Sequence, residues 1–281
     1  MNRVAQDFTG ELLGTFLLVF FGTGSVAVSV LFGAHVGLLQ VALVWGLAAA
    51  LAIYATRHLS CAHLNPAVSL AMVVGRRMSP AKLPAYLAGQ LTGAFLAAAV
   101  IYALFSGSIA QYEALHGIVR GSPASIQTAM MFGEYFPNPG AGPGAVATMG
   151  TAFFAEAFGT LLLVFLILSF TEGCNLGRPG DELAPLFIGL SLAIIIAVLA
   201  PLTQAGFNPA RDLSPRLFSW FAGWGPAAFP GNGWGVILVY VAGPIAGGAA
   251  AALLFSFVIE PLLRSKAAAA GCCADKPDAR I

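Results

Sequence analysis

Charge is what this chain has least of: Asp, Glu, Lys and Arg together make up 9% of its 281 residues, while 58% are hydrophobic. A water-soluble domain needs a larger polar surface than that, so lipid must supply the solvent. The formal net charge is only +1, and no basic cluster stands out, which excludes a nucleic-acid binder. Cysteine is sparse as well. Cys61, Cys174, Cys272 and Cys273 have neither metal-ligand nor disulfide-framework spacing, and no metal or other cofactor is expected. No small-residue cleavage site follows the first apolar run. The stretch behind Arg3 and Asp7 therefore reads as a membrane span and not as a removable signal peptide. The apolar stretches also lack a nucleophile with its base, so no catalytic residue is assigned and an enzyme is not expected.

Long apolar runs are what the chain has in place of charge. Crossing a hydrocarbon core takes about 20 apolar residues in a helix, and six stretches reach or approach that length: 8–32, 38–57, 83–105, 149–171, 183–202 and 234–258. The expected fold is all-α, with six membrane spans. Two further segments, Pro66 to Gly75 and Pro209 to Trp220, are too short to span, and each opens with a proline suited to a first helical turn. They read as half-helices that enter from opposite sides, and non-helical backbone at that depth is tolerated only in a protein-buried or water-lined setting. With both termini cytoplasmic, Arg3, Arg57, Arg76, Arg77, Lys82, Arg178, Arg264, Lys266, Lys276 and Arg280 lie inside, and only Arg120, Arg211 and Arg216 lie outside. That asymmetry fits the positive-inside rule.

An internal repeat runs through the chain. Gly10-Glu11-Leu12-Leu13-Gly14-Thr15 matches Ala155-Glu156-Ala157-Phe158-Gly159-Thr160, Asn65-Pro66-Ala67 matches Asn208-Pro209-Ala210, and Tyr86-Leu87-Ala88-Gly89 matches Tyr240-Val241-Ala242-Gly243. The repeats cover about 6–105 and 149–258 of a single domain, 1–281, with 259–281 as a cytoplasmic tail. Three spans per half is an odd number, so the second half is predicted to run upside down relative to the first. The two half-helices then meet at the midplane. Their N-termini bring unpaired N–H groups and positive dipole ends together, and the amides of Asn65 and Asn208 add side-chain donors. A neutral hydroxyl or water is held there as an acceptor, while cations meet a positive potential.

With Ser60-Cys61-Ala62-His63-Leu64-Asn65-Pro66-Ala67-Val68 and Gly206-Phe207-Asn208-Pro209-Ala210-Arg211-Asp212 in place, the chain resembles the aquaporin and glycerol-facilitator family over residues 6 to 260. The resemblance implies a homotetramer in the cell membrane, one pore per subunit, and passage of glycerol, water and similar small uncharged solutes. It also implies a pore lined by the carbonyls of Cys61, Ala62, His63, Leu64, Gln204, Gly206 and Phe207. Asp212, Arg216 and the pair Pro244-Ile245 are similar to the glycerol-conducting branch. So is the long loop holding His116 to Ser122 and Tyr135 to Pro139. A water-dominant, urea-conducting or metalloid-conducting channel is the alternative, and an ion-coupled transporter is further off because Glu11 and Glu156 are the only acids deep in the spans.

By position relative to the motifs, the selectivity filter falls on Trp45, Ile196, Ala205 and Arg211. Trp45 and Arg211 match a glycerol facilitator, with the indole as an apolar wall and the guanidinium as a donor. Ile196 and Ala205 depart from it, standing where facilitators tend to have glycine and a second aromatic. Glu11 and Glu156 are expected to be structural, each accepting hydrogen bonds from the adjacent re-entrant loop.

Overall fold

The computed structural model describes residues 2–34 and 37–270. Cys272, Cys273, Lys276 and Arg280 of the expected tail lie outside the described residues. Among the described residues the fold is built on six long helices and two half-helices, with shorter helical turns between them and no strand. We number these α1 (Arg3–Phe32), α2 (Leu38–Thr56), α3 (Pro66–Val74), α4 (Leu83–Leu115), α5 (Met149–Thr171), α6 (Ala184–Thr203), α7 (Pro209–Ser219) and α8 (Trp234–Ala269). Start and stop signals are local. Asn2 caps α1 by accepting from the Ala5 N–H at 2.8 Å, Thr148 caps α5, and Gly33, at φ 61°, ends α1 in the left-handed conformation.

Two helices outrun their apolar stretches. α4 continues to Leu115, past the expected limit at 105, and α8 continues to Ala269, past 258. Hydropathy marks where a helix leaves the bilayer, whereas helix formers such as the Ala, Gln, Glu and Leu of 109–115 decide where it stops. α8 also loosens to π pitch at Ile237–Ala242 and Phe255–Ile259.

Packing links the halves crosswise. α1 lies on α2 and α4, α5 lies on α6 and α8, and α2 pairs with α6. Each short helix lies on a long helix of the other half, α3 on α8 and α7 on α4. The α2–α6 approach depends on two glycines: a Cβ at Gly46 would strike the Gly189 carbonyl, and one at Gly189 would strike the Gly46 carbonyl. In lipid, where apolar burial drives helix association only weakly, such small-residue contacts provide much of the attraction. The outward faces are apolar, as in the exposed row Leu39, Leu43, Leu47 and Leu51 on α2.

Candidate pore and filter

The N-termini of α3 and α7 meet inside the bundle, and each is capped by its asparagine. Asn65 Oδ1 accepts from the Ala67 N–H at 2.8 Å, and Asn208 Oδ1 accepts from the Ala210 and Arg211 N–H groups at 3.0 and 3.2 Å. Pro66 and Pro209 occupy the first helical position, where a missing N–H costs nothing. The two amides also reach across the junction, Asn65 Nδ2 donating to the Phe207 carbonyl and Asn208 Nδ2 to the Leu64 carbonyl, both at 2.8 Å. One N–H of each amide is thus committed to the opposite loop, and the second makes no bond among the described residues. The same bonds occupy two of the seven carbonyls assigned to the lumen from the sequence, those of Leu64 and Phe207.

Both loops enter their helices through the same strained backbone. Ala62 and Leu64 are left-handed, at φ 50° and 54°, and so are Ala205 and Phe207, at 64° and 53°. Each such residue costs roughly 1–3 kcal/mol, so something must hold it. A buried carboxylate does so in each half. Glu11 accepts from the N–H groups of His63 (2.9 Å) and Leu64 (2.7 Å), and Glu156 from those of Gly206 (2.9 Å) and Phe207 (2.7 Å). Both carboxylates are fully buried. A matched glycine makes room beside each loop: a Cβ on Gly14 would overlap the Leu64 side chain, and one on Gly159 would overlap the Phe207 ring.

Two cavities approach each other past this junction. The first, about 460 Å³, is lined by Cys61, Ala62, His63, Leu64, Gly206 and Phe207 around the asparagines and reaches Arg57 and Arg77. The second, about 580 Å³, is lined by Glu134, Asn138 and Gln204 among others. Trp45, Ile196 and Arg211 line both, so the boundary lies at these three side chains. The Arg211 guanidinium stands over the Trp45 indole, 4.0 Å from the ring centroid, a cation–π geometry. Ala205 lines the first cavity only, and Gln204 the second only. The His63 imidazole faces the first cavity, with Nδ1 3.1 Å from Ser69 Oγ and its ring against Tyr86.

Several functional contacts have no local sequence signal. Glu134, in the segment between α4 and α5, is almost wholly buried and forms an ion pair with Arg211. Its backbone N–H donates to Asp212 Oδ1 at 2.6 Å, and its carbonyl accepts from Arg216 Nη2. Arg216, fully buried, also pairs with Asp212 at 2.7 Å and donates to the Ala228 carbonyl at 2.6 Å. In the first half, Gln90 and Ser60 each donate to Glu11 at 2.7 Å. Glu134 is a single acid in a connecting segment, and its partner is 77 positions away; Gln90 is a single polar residue in an apolar span. Only the latter had a detectable signal, since an amide at that depth requires a partner.

The Major intrinsic protein profile matches residues 2–255. The glycerol uptake facilitator of Pseudomonas aeruginosa is 43% identical over 222 residues, 79% of this chain and 77% of that one. The glycerol uptake facilitator of Escherichia coli K12 is 42% identical over 253 residues, 90% of this chain and 86% of that one. The propanediol uptake facilitator of Salmonella typhimurium is 37% identical over 250 residues, covering 89% and 92%. Among solved structures, the aquaglyceroporin of Plasmodium falciparum superposes with a TM-score of 0.79 at 28% identity, over 92% of this chain and 98% of that one. On the profile match, these identities and the paired half-helices, the chain belongs to the major intrinsic protein family.

Proposed function

We propose that this protein is a passive membrane channel for glycerol and other small uncharged solutes, water included, and that Trp45, Ile196, Ala205 and Arg211 form its filter. The observation that carries this reading is the boundary between the two cavities, where an indole, an aliphatic side chain and a guanidinium converge. Such a site offers one apolar wall to carbon and one donor set to hydroxyls, the combination a polyol needs. The facilitator names of the relatives support the same substrate class. Beyond the filter, the half-helix dipoles and the free N–H of each asparagine hold a solute oxygen and oppose protons and cations. A solute leaves chemically unchanged, so the reading includes no catalytic step.

The two halves act as inverted repeats, a view supported by the matched left-handed residues, carboxylates and glycines. The channel sits in the cell membrane with both termini cytoplasmic, which the distribution of ten of the thirteen Lys and Arg residues supports. It works as a homotetramer with one pore per subunit, as the family resemblance implies. Stopped-flow light scattering on proteoliposomes, with water, glycerol and urea gradients in parallel, tests the function directly. Glycerol flux should rise linearly with its gradient and ignore imposed proton or sodium gradients. Flux that saturates and follows either ion would make the protein a coupled transporter.

A further inference from the structure

The two re-entrant loops share their left-handed residues pair by pair, with one exception. Gln204, at φ 61°, is left-handed, while the corresponding position of the first loop, Cys61, has no positive φ. Glycine would adopt this conformation without strain, so the presence of a glutamine calls for a role for its side chain. Both ends of that side-chain amide are engaged. Oε1 accepts from the Tyr135 N–H at 2.9 Å, and Nε2 donates to the Met130 carbonyl at 3.3 Å. Residues 130–135 between them form a strap along the second cavity, and the strap carries Glu134, the ion-pair partner of Arg211. One end of the loop is tied to α6 a second time, through Asn138 Nδ2 and the Ala200 carbonyl at 2.9 Å.

We infer that Gln204 is a selectivity-setting residue: by clamping the strap at Tyr135 and Met130 it keeps Glu134 in register with Arg211 and so fixes the guanidinium at the filter wall. Ala205, next in the chain, carries only a methyl group, and the guanidinium is held by Trp45 and by Glu134. The Gln204 side-chain amide acts in this scheme through the strap it holds; it is a positioning group, and its effect should be seen in discrimination between solutes.

This inference rests on the filter assignment above, and the test separates the two. Erythritol, glycerol and water permeabilities are measured in proteoliposomes for wild type, Gln204→Gly, Gln204→Glu and Trp45→Ala. Gln204→Gly relieves the backbone strain and removes the clamp, so the protein should fold at wild-type yield. Its erythritol-to-glycerol ratio should rise severalfold above that of the wild type, because both bonds to the strap are lost. Gln204→Glu keeps an acceptor for Tyr135 but no donor for Met130, and its ratio should fall between the two. If Trp45→Ala changes the ratio and neither Gln204 variant does, the filter stands and the clamp inference is overturned. If none of the three changes it, the filter assignment itself fails. Loss of folded protein in Gln204→Gly, with an unchanged ratio in Gln204→Glu, would reduce Gln204 to a helix cap and also overturn the inference.

Discussion

The two re-entrant helices start from the same three residues and share a buried carboxylate behind each loop, but the other groups that hold them differ. α3 reads PAVSLAMVV and has no charge, and its loop is anchored by neutral groups, Ser60 and Gln90, gathered on Glu11. α7 reads PARDLSPRLFS, and its Arg211, Asp212 and Arg216 are all buried and bonded to the strap that descends between α4 and α5. The difference shows that duplicated geometry need not mean duplicated function. The asparagine caps and left-handed turns recur because both loops must turn a chain into a helix at the midplane. The charges occur once, beside the proposed filter, where a guanidinium must be kept ionised and in place out of bulk water.

If the second half depends on its charges, Arg216→Met should be the most damaging substitution. It leaves Asp212 buried without its cation, a loss of about 3–5 kcal/mol, and the folded fraction in detergent, read by size-exclusion chromatography, should collapse. Gln90→Met in the first half should cost much less, and equal losses for the two would erase the contrast drawn above. Next in size are the buried acids. Glu156→Gln puts an amide where two backbone N–H groups require acceptors and should cost about 1–3 kcal/mol, seen as a lower thermal midpoint with unchanged solute preference. Glu11→Gln should be worse, because Ser60 and Gln90 donate to the same carboxylate. Normal yield with abolished flux in either variant would point to a role in conduction.

Arg211→Val sharpens the comparison at the filter. It removes the fixed positive charge and should admit a cation leak, measured as dye-reported ion flux into vesicles. It also leaves Glu134 unpaired, so the Arg211→Val/Glu134→Gln double variant should recover yield while keeping the leak. An ion-tight double variant would mean that the half-helix dipoles suffice without the arginine. The smallest effect expected is a coupling between Ile196 and Ala205, which belong to one buried cluster. Ala205→Phe should suppress glycerol more than water, and adding Ile196→Gly should restore it, with a coupling energy of about 0.5–3 kcal/mol. Additive fluxes would show that the two side chains do not share space.

Much of the fold was readable in the chain. Six apolar runs located the spans, prolines at 66 and 209 located the half-helices, and the Glu11 and Glu156 pattern gave the repeat, because each of these is a requirement that lipid places on local sequence. Helix ends were less readable: α4 and α8 run on as helices past their apolar stretches, so the apolar signal ceases before the helix does.

What the sequence by itself determined is everything that follows from contact with lipid or from one residue's own conformation: the class of fold, the number of spans, the capping of α3 and α7, and the presence of two acids deep in apolar helices. The tertiary structure alone decided which groups those residues meet. That Asn65 reaches the Phe207 carbonyl, that Glu134 pairs with Arg211, and that Gln204 holds the backbone of a loop some seventy residues earlier are consequences of packing two halves against each other. No periodicity or motif encodes them, because a hydrogen bond needs only a donor and an acceptor brought within about 3 Å, and distance in space is set by the whole fold.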